Sequence, residues 1–294
     1  MARAALAASR AIQIIDFLAA QGTTRFTLSE LARALDINVA SCHGILQELT
    51  KSDHLSRHPV HKTYSLGPVL VAIGDVANEN HGVIARAKSA AAALSHRLGV
   101  EVLLSMRAGD EVLGLAHFNQ AVVDRAWLRP GVRLPLRPPL GVTFVAWEPE
   151  ADIEKWLGRG LDGKIDPATA SSLRELLVSV RQRGFQLALK ADTQELANLS
   201  DALDVRRYVE HLDRWLTRFR PDNLLHFDPM QVNDGEWYEV DFISAPVFDS
   251  PGKPTYSMTL YHFDDKLIGA DIKNCISNLI STCRSVGRSA STGS

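Results

Sequence analysis

Apolar residues recur with a helical period through the first part of the chain. Ala11, Ile14, Ile15 and Leu18 fall at i, i+3, i+4 and i+7, one stripe on a first helix that Gln21-Gly22 ends. Thr27-Leu-Ser-Glu30 then has capping-box spacing, in which a hydroxyl and a carboxylate satisfy free amides of a first turn, ahead of Leu31, Ala34 and Leu35. A short second helix is expected there. Asp36-Ile37-Asn38 gives a tight turn, and Asn38 caps a third helix in which Cys42, Ile45, Leu46 and Leu49 repeat the stripe. Leu55-Ser-Arg57 and Lys62-Thr-Tyr64-Ser-Leu66 read as short strands around His58-Pro59-Val60-His61. Two short helices packed on a first one, followed by a hairpin, is the plan of a winged helix-turn-helix. A small three-helix protein-protein module would show the same order.

Downstream, the pattern becomes first helical and then mixed. Pro68 opens a helix through Val69, Ala72, Ile73 and Val76, which the polar run Asn78 to Gly82 interrupts. Ile84, Ala87, Ala91, Leu94 and Leu98 alternate steps of three and four up to Gly99, the spacing of a seam that pairs with another helix or packs on its own domain. Val100 to Met106 and Val112 to Phe118 flank Ala108-Gly109-Asp110 as a hairpin, and Phe242 to Val247 and Thr255 to Tyr261 flank the turn residues Asp249 to Gly252. A closing helix carries Ile272, Cys275, Ile276, Leu279, Ile280 and Cys283. The fold class is α+β, with residues 1–67 as a winged helix-turn-helix, 68–99 as a helical linker and 100–288 as a second domain.

Composition narrows the function. The 294 residues are 46% hydrophobic and 22% charged, enough for two domains with real cores. No apolar stretch reaches the roughly 18 residues of a membrane span, and the start is cut by Arg3 and Arg10, so a cytoplasmic protein without membrane contact is expected. Cys42, Cys275 and Cys283 have no paired spacing and read as buried apolar residues. The net charge of -2 gives no global attraction to phosphate, yet over residues 1–67 seven basic against five acidic side chains leave a formal +2. A third helix with its stripe inward presents Ala40, Ser41, His43, Gly44 and Gln47 to a major groove, where Ser or Gln can read base edges. Arg25, Lys51, Arg57 and Lys62 stand at the edges as phosphate contacts.

Catalysis finds little support. His226-Phe-Asp228 and His262-Phe-Asp264-Asp265 are possible metal or acid-base sets, but no HExxH, GxSxG, Walker loop or dinucleotide fingerprint accompanies them. Neither an enzyme nor a resident cofactor or metal is expected.

Ser29-Glu-Leu-Ala-Arg-Ala-Leu35, Ser41-Cys-His43, Ile45-Leu46, Leu55-Ser-Arg57 and Tyr64-Ser-Leu66-Gly67-Pro68 together resemble the DNA-binding domain of the IclR family of bacterial regulators. Arg133-Leu-Pro-Leu136 with Gly141 is similar to the family's loop before an effector-pocket helix, and Ile243-Ser-Ala-Pro-Val-Phe-Asp249 to its late core strand. The resemblance implies a GAF-like sensor domain, operator DNA as partner and a homodimer or dimer of dimers. Three positions depart from the family: Asp36 replaces the usual turn glycine, and Val39 and Gly44 stand where the recognition helix usually carries Lys and Arg.

For the effector pocket the resemblance places Leu136, Leu140, Gly141 and Val142 on one wall and Val240, Phe242, Thr259 and Tyr261 on facing strands. The two aromatic rings suggest a planar ligand, and Arg133 and Arg137, unless merely solvated, suit a carboxylate, so an aromatic or other carboxylic acid is expected. Residues 192–238 read as an insertion whose Val205, Tyr208, Val209, Leu212, Leu216 and Phe219 keep helical spacing, either a cover for the pocket, a dimer extension or a helix on the outer flank. The function expected is a ligand-responsive, DNA-binding regulator of a metabolic, catabolic operon. The alternative is a sensor that acts through protein partners with weak or no DNA binding.

Overall fold

The structure, a computed structural model, describes residues 5–118, 128, 130–160, 165–189, 231–250, 252–261, 263 and 266–288. The paired motifs at 226–228 and at 262, 264 and 265, and nearly all of the expected insertion, lie outside these residues. The chain divides into two compact units, Met1–Gly82 with Pro130–Val132, and Val83–Arg129 with Arg133–Ser294.

In the first unit, α1 (Leu6–Ala20) buries Ile14 and Leu18 and stops at Gln21, with Gly22 at φ +62°. A two-residue strand β1 (Phe26–Thr27), too short to leave a periodic signal, leads into α2 (Leu28–Ala34). The capping box forms in full: Thr27 N–H donates to Glu30 Oε2 at 2.7 Å, and Glu30 N–H donates to Thr27 Oγ1 at 3.4 Å. That carboxylate is held below its ordinary pKa by the backbone and side-chain hydrogen bonds from Thr27. Asp36 takes φ +52° in the turn, a left-handed conformation that Asp adopts at a cost glycine avoids. Next, α3 (Val39–Lys51) starts where Asn38 Oδ1 accepts from Ala40 N–H at 2.9 Å. Strands β2 (Leu55–Arg57) and β3 (Thr63–Leu66) form the wing, and β1 completes the antiparallel order β1-β3-β2. β3 begins one residue later than expected because Lys62 turns at φ +54°. The core holds Ile14, Leu18, Leu31, Cys42 and Leu46 from the anticipated stripes, joined by Ile37 from the turn and Leu55 and Tyr64 from the wing, while Ile15, Leu35, Ile45 and Leu49 are half-buried.

The helical segment 68–99 divides between the units. α4 (Val69–Asn80) buries no residue and exposes Val71, Ile73 and Val76. α5 (Gly82–Leu98) instead buries Ala87, Ala91 and Leu94 against the sheet of the second unit, so the seam that could have paired with another helix packs on its own domain.

The second unit is built on a six-stranded antiparallel sheet. Its strands are β4 (Glu101–Ala108), β5 (Glu111–Phe118), β6 (Arg133–Pro135), β7 (Gln186–Leu189), β9 (Val240–Val247) and β10 (Tyr256–Tyr261), in the order β6-β5-β4-β10-β9-β7. β8 (Trp237–Tyr238) and β11 (Leu267–Ile268) form a separate ladder. Arg133–Pro135, expected as loop, is an edge strand paired to β5, a place where a proline without a donor is tolerated. α5 and the closing helix α9 (Gly269–Arg288) cover one face, sealing Val102, Leu104, Ile243, Met258 and Leu260. Burial pushes the thiols of Cys275 and Cys283 up to about 11 and about 12, and raises that of Cys42, so all three are neutral apolar residues at pH 7. Helices α6 (Val142–Val145), α7 (Glu150–Leu157) and α8 (Pro167–Arg183) complete the unit. An N-terminal winged helix-turn-helix followed by a mixed α and β domain is the architecture the pattern predicts.

Candidate functional sites

The exposed face of α3 is set by its buried one. Cys42 and Leu46 are fully buried, which leaves Val39, Ala40, His43, Gly44, Gln47, Glu48 and Lys51 to solvent. Ser41 turns partly inward and is half-buried, so it stands at the margin of this surface. In the same unit Arg25, Lys51, Arg57 and Lys62 are all exposed. The wing is internally braced: His58 Nδ1 accepts from the backbone N–H of Val60 at 3.3 Å and of His61 at 3.1 Å, and the Arg57 guanidinium lies over the Tyr64 ring at 5.7 Å. Lys62 Nζ donates to Pro59 O at 2.5 Å, so a phosphate contact by Lys62 replaces a bond within the wing turn.

The sheet of the second unit has a second face of different character. Register places His117, Leu103, Thr259, Ser244 and Gln186 in one cross-strand row, and Glu101, Tyr261, Phe242 and Ala188 in the next. Although buried, this face is mostly polar. Thr143 Oγ1 meets Ser257 Oγ at 3.2 Å, Ser257 Oγ meets Ser244 Oγ at 3.0 Å, and Ser244 Oγ meets Thr259 Oγ1 at 2.9 Å. Beside this chain Glu101 Oε2 lies 3.1 Å from His117 Nε2, and the His117 ring stacks on Tyr261 with centroids 5.6 Å apart. A run of buried hydroxyls and an ionisable pair on one sheet face is more than packing needs, because burying polar groups gains little.

The expected pocket residues distribute unevenly over this frame. Thr259, Tyr261 and Phe242 share the polar face. Val240 does not: the register shift between Ala188 and Leu189 leaves Asp241 as an extra residue and turns Val240 into the helix-side core. Leu136 and Val142 are buried and Leu140 half-buried, and the segment is tied to α7, with Trp156 Nε1 donating to Leu140 O at 3.0 Å and Arg159 Nη1 to Leu136 O at 3.2 Å. Gly141 sits at φ +83° and a Cβ there would meet Leu136 Cδ1 at 2.0 Å, so another residue strains the backbone and must displace the Leu136 side chain. Thr143 then links this wall to the floor. Arg133 pairs with Glu111 at 3.2 Å on the surface, away from its expected carboxylate role. Glu101, His117, Thr143, Ser244 and Ser257 were not indicated by sequence, since their common face depends on register between distant strands.

A separate cavity of about 220 Å³ lies between the β4–β5 turn and α7. Its charges satisfy one another, with Arg107 on Glu148, Arg159 on Asp110 at 2.6 Å and Lys155 on Asp152 at 2.7 Å. Among the described residues no cluster of metal-ligating side chains occurs, and no described helix is long and apolar enough to cross a membrane.

Comparison with known proteins agrees with both halves of this picture. Residues 7–59 match the IclR helix-turn-helix domain. Over 210 residues the chain is 29% identical to a glycerol operon regulatory protein of Streptomyces griseus, covering 70% of this chain and 82% of that protein. The fold is similar to an IclR transcriptional regulator from Alicyclobacillus acidocaldarius (TM-score 0.71, 19% identity, 98% of this chain and 100% of the other). It is also similar to an IclR homolog from Microbacterium hydrocarbonoxydans complexed with 4-hydroxybenzoate (TM-score 0.61, 15% identity, 97% and 100%).

Proposed function

We propose that the chain is an IclR-type transcriptional regulator that binds DNA at the operator of a catabolic gene cluster in the cytoplasm, under control of a small hydroxylated molecule. The buried polar face of the second unit carries this reading. Three serine and threonine hydroxyls on β9 and β10, Thr143 above them and the Glu101–His117 pair offer donors and acceptors to a polyol, whereas Glu101 repels a carboxylate placed beside it. Two glycerol operon regulatory proteins stand among the relatives, which supports an operon of polyol use as the target. In this reading residues 1–67 read DNA, 68–99 link, and 100–288 sense. Two copies act together, as a palindromic site requires, with the exposed Ile73 and Val76 of α4 turned to the second copy.

An effector must bind one conformation better than the other to alter DNA affinity. Fluorescence anisotropy on the protein's own upstream region, with and without glycerol or a short-chain glycitol, tests this. A neutral polyol is expected to move the DNA-binding midpoint, and Thr259→Val to abolish the shift while leaving DNA binding intact. A second reading, an aromatic acid, is favoured by Tyr261 and Phe242 on neighbouring strands and by the 4-hydroxybenzoate bound to the Microbacterium homolog. A midpoint shift with 4-hydroxybenzoate and none with polyols selects it. No shift with either class rejects small-molecule control through this face.

A further inference from the structure

We propose that α3 recognises its operator through thymine methyl groups, so that A·T pairs occupy the positions at which an Arg or Lys would select guanine. The inference rests on the operator-binding reading above and on the composition of one helix face. Val39, Ala40, His43, Gly44 and Gln47 follow i, i+1, i+4, i+5, i+8 spacing, opposite the fully buried Cys42 and Leu46, and so form the surface that meets a groove. The helix start is fixed by the Asn38 cap on Ala40 N–H, which holds the first turn in place.

That surface has no lysine or arginine before Lys51 at the helix end, and Glu48 is the one other charge exposed between them. Guanine is read mainly by bidentate cations, and such a group is lacking here. What the first turn offers instead is apolar. Val39 is 55% exposed, a large aliphatic side chain standing in water where it gains nothing until a partner covers it. The base feature that complements a methyl is the C5-methyl of thymine, and the adenine paired with it presents the N7 acceptor and N6 donor that the Gln47 amide can meet together.

Gly44 supplies the remaining element. A Cβ at this position would have nothing within 4 Å, so the fold itself does not demand glycine there. With Val, Ala and Gly on three of five facing positions, the side chains reach base edges only if the helix backbone comes close. A face so short reads groove contour and methyls by van der Waals contact.

The test begins with full-length protein selecting duplexes from a pool randomised over about 30 base pairs, three helical turns. Enriched half-sites are expected to carry thymine on one strand at their centre, without an invariant guanine. The best duplex is then synthesised with deoxyuridine for those thymines, which leaves every hydrogen-bonding group and removes only the methyl. Affinity should fall about fourfold per methyl, equivalent to about 0.8 kcal/mol for one buried carbon. Val39→Ala, at an exposed site and with an unchanged melting curve, should bind the thymine duplex more weakly and distinguish thymine from uracil less. Invariant G·C pairs at the half-site centre, equal affinity for the two duplexes, or an undiminished thymine preference in Val39→Ala would each overturn the proposal. Failure to enrich any sequence would reject operator binding itself, and the inference with it.

Discussion

The absence of a side chain decides the local backbone at Gly141. Gly141 holds α6 at a left-handed φ with the Leu136 side chain where a Cβ would stand, so Gly141→Ala forces a strained backbone and displaces a side chain that is 1% exposed. About 1–2 kcal/mol of stability should be lost from the backbone conformation alone, seen as a lower urea midpoint, and effector response should weaken with it. An unchanged midpoint would mean that Leu136 has room to move. Gly141 beside Leu136, and Thr259 and Tyr261 on one strand, were placed near each other by the family resemblance alone, and the structure sets Thr259 and Tyr261 on the polar sheet face. Val240 was misplaced because a one-residue bulge at Asp241 reverses which face a strand residue occupies, and nothing local in Val240-Asp241-Phe242 announces it. Glu101 and His117 stayed hidden for a related reason: sixteen positions apart in the chain, they become partners only through the register of β4 on β5.

Elements with local start and stop signals were the readable ones. The stripes of α1 and α3, the capping box of α2, the wing and the β4–β5 hairpin all follow from contacts within a few residues, where propensity and capping decide the outcome. β1, β7 and β8 are two to four residues long, defined by the strands they join, and no period can be read from them. The same locality makes α2 testable. Thr27→Ala removes the Oγ1 acceptor for Glu30 N–H and should cost about 1 kcal/mol, read by thermal or chemical denaturation. Glu30→Gln probes the other half of the box. Because Thr27 lowers the folded pKa of Glu30 below its ordinary 4.5, the ionised carboxylate's contribution is complete above that value and is lost as pH falls through the lower folded one. The stability gap between wild type and Glu30→Gln should therefore be present at pH 7 and close in acid. A gap independent of pH would show that charge plays no part in the cap.

At the scale of the whole molecule, the proposed DNA binding by a chain of net charge -2 requires that its attraction be concentrated in a few places. Arg25, Lys51, Arg57 and Lys62 are the exposed cations proposed to meet phosphate, and among the described residues none forms a salt bridge within the first unit. Were all four engaged in both copies of a dimer, the logarithm of affinity should fall against the logarithm of salt with a slope of about -7, by the roughly 0.9 counterions released per phosphate contact. Lys62 is the member already engaged, its ammonium donating to the Pro59 carbonyl in the wing turn. If it leaves that carbonyl for phosphate, Lys62→Ala should flatten the slope by about 2 and weaken binding to all duplexes alike, with base preference untouched. A slope identical in Lys62→Ala and wild type would instead keep Lys62 as a brace of the wing turn. Measured on the selected duplex between low and moderate salt, the two outcomes differ by about a quarter of the total slope.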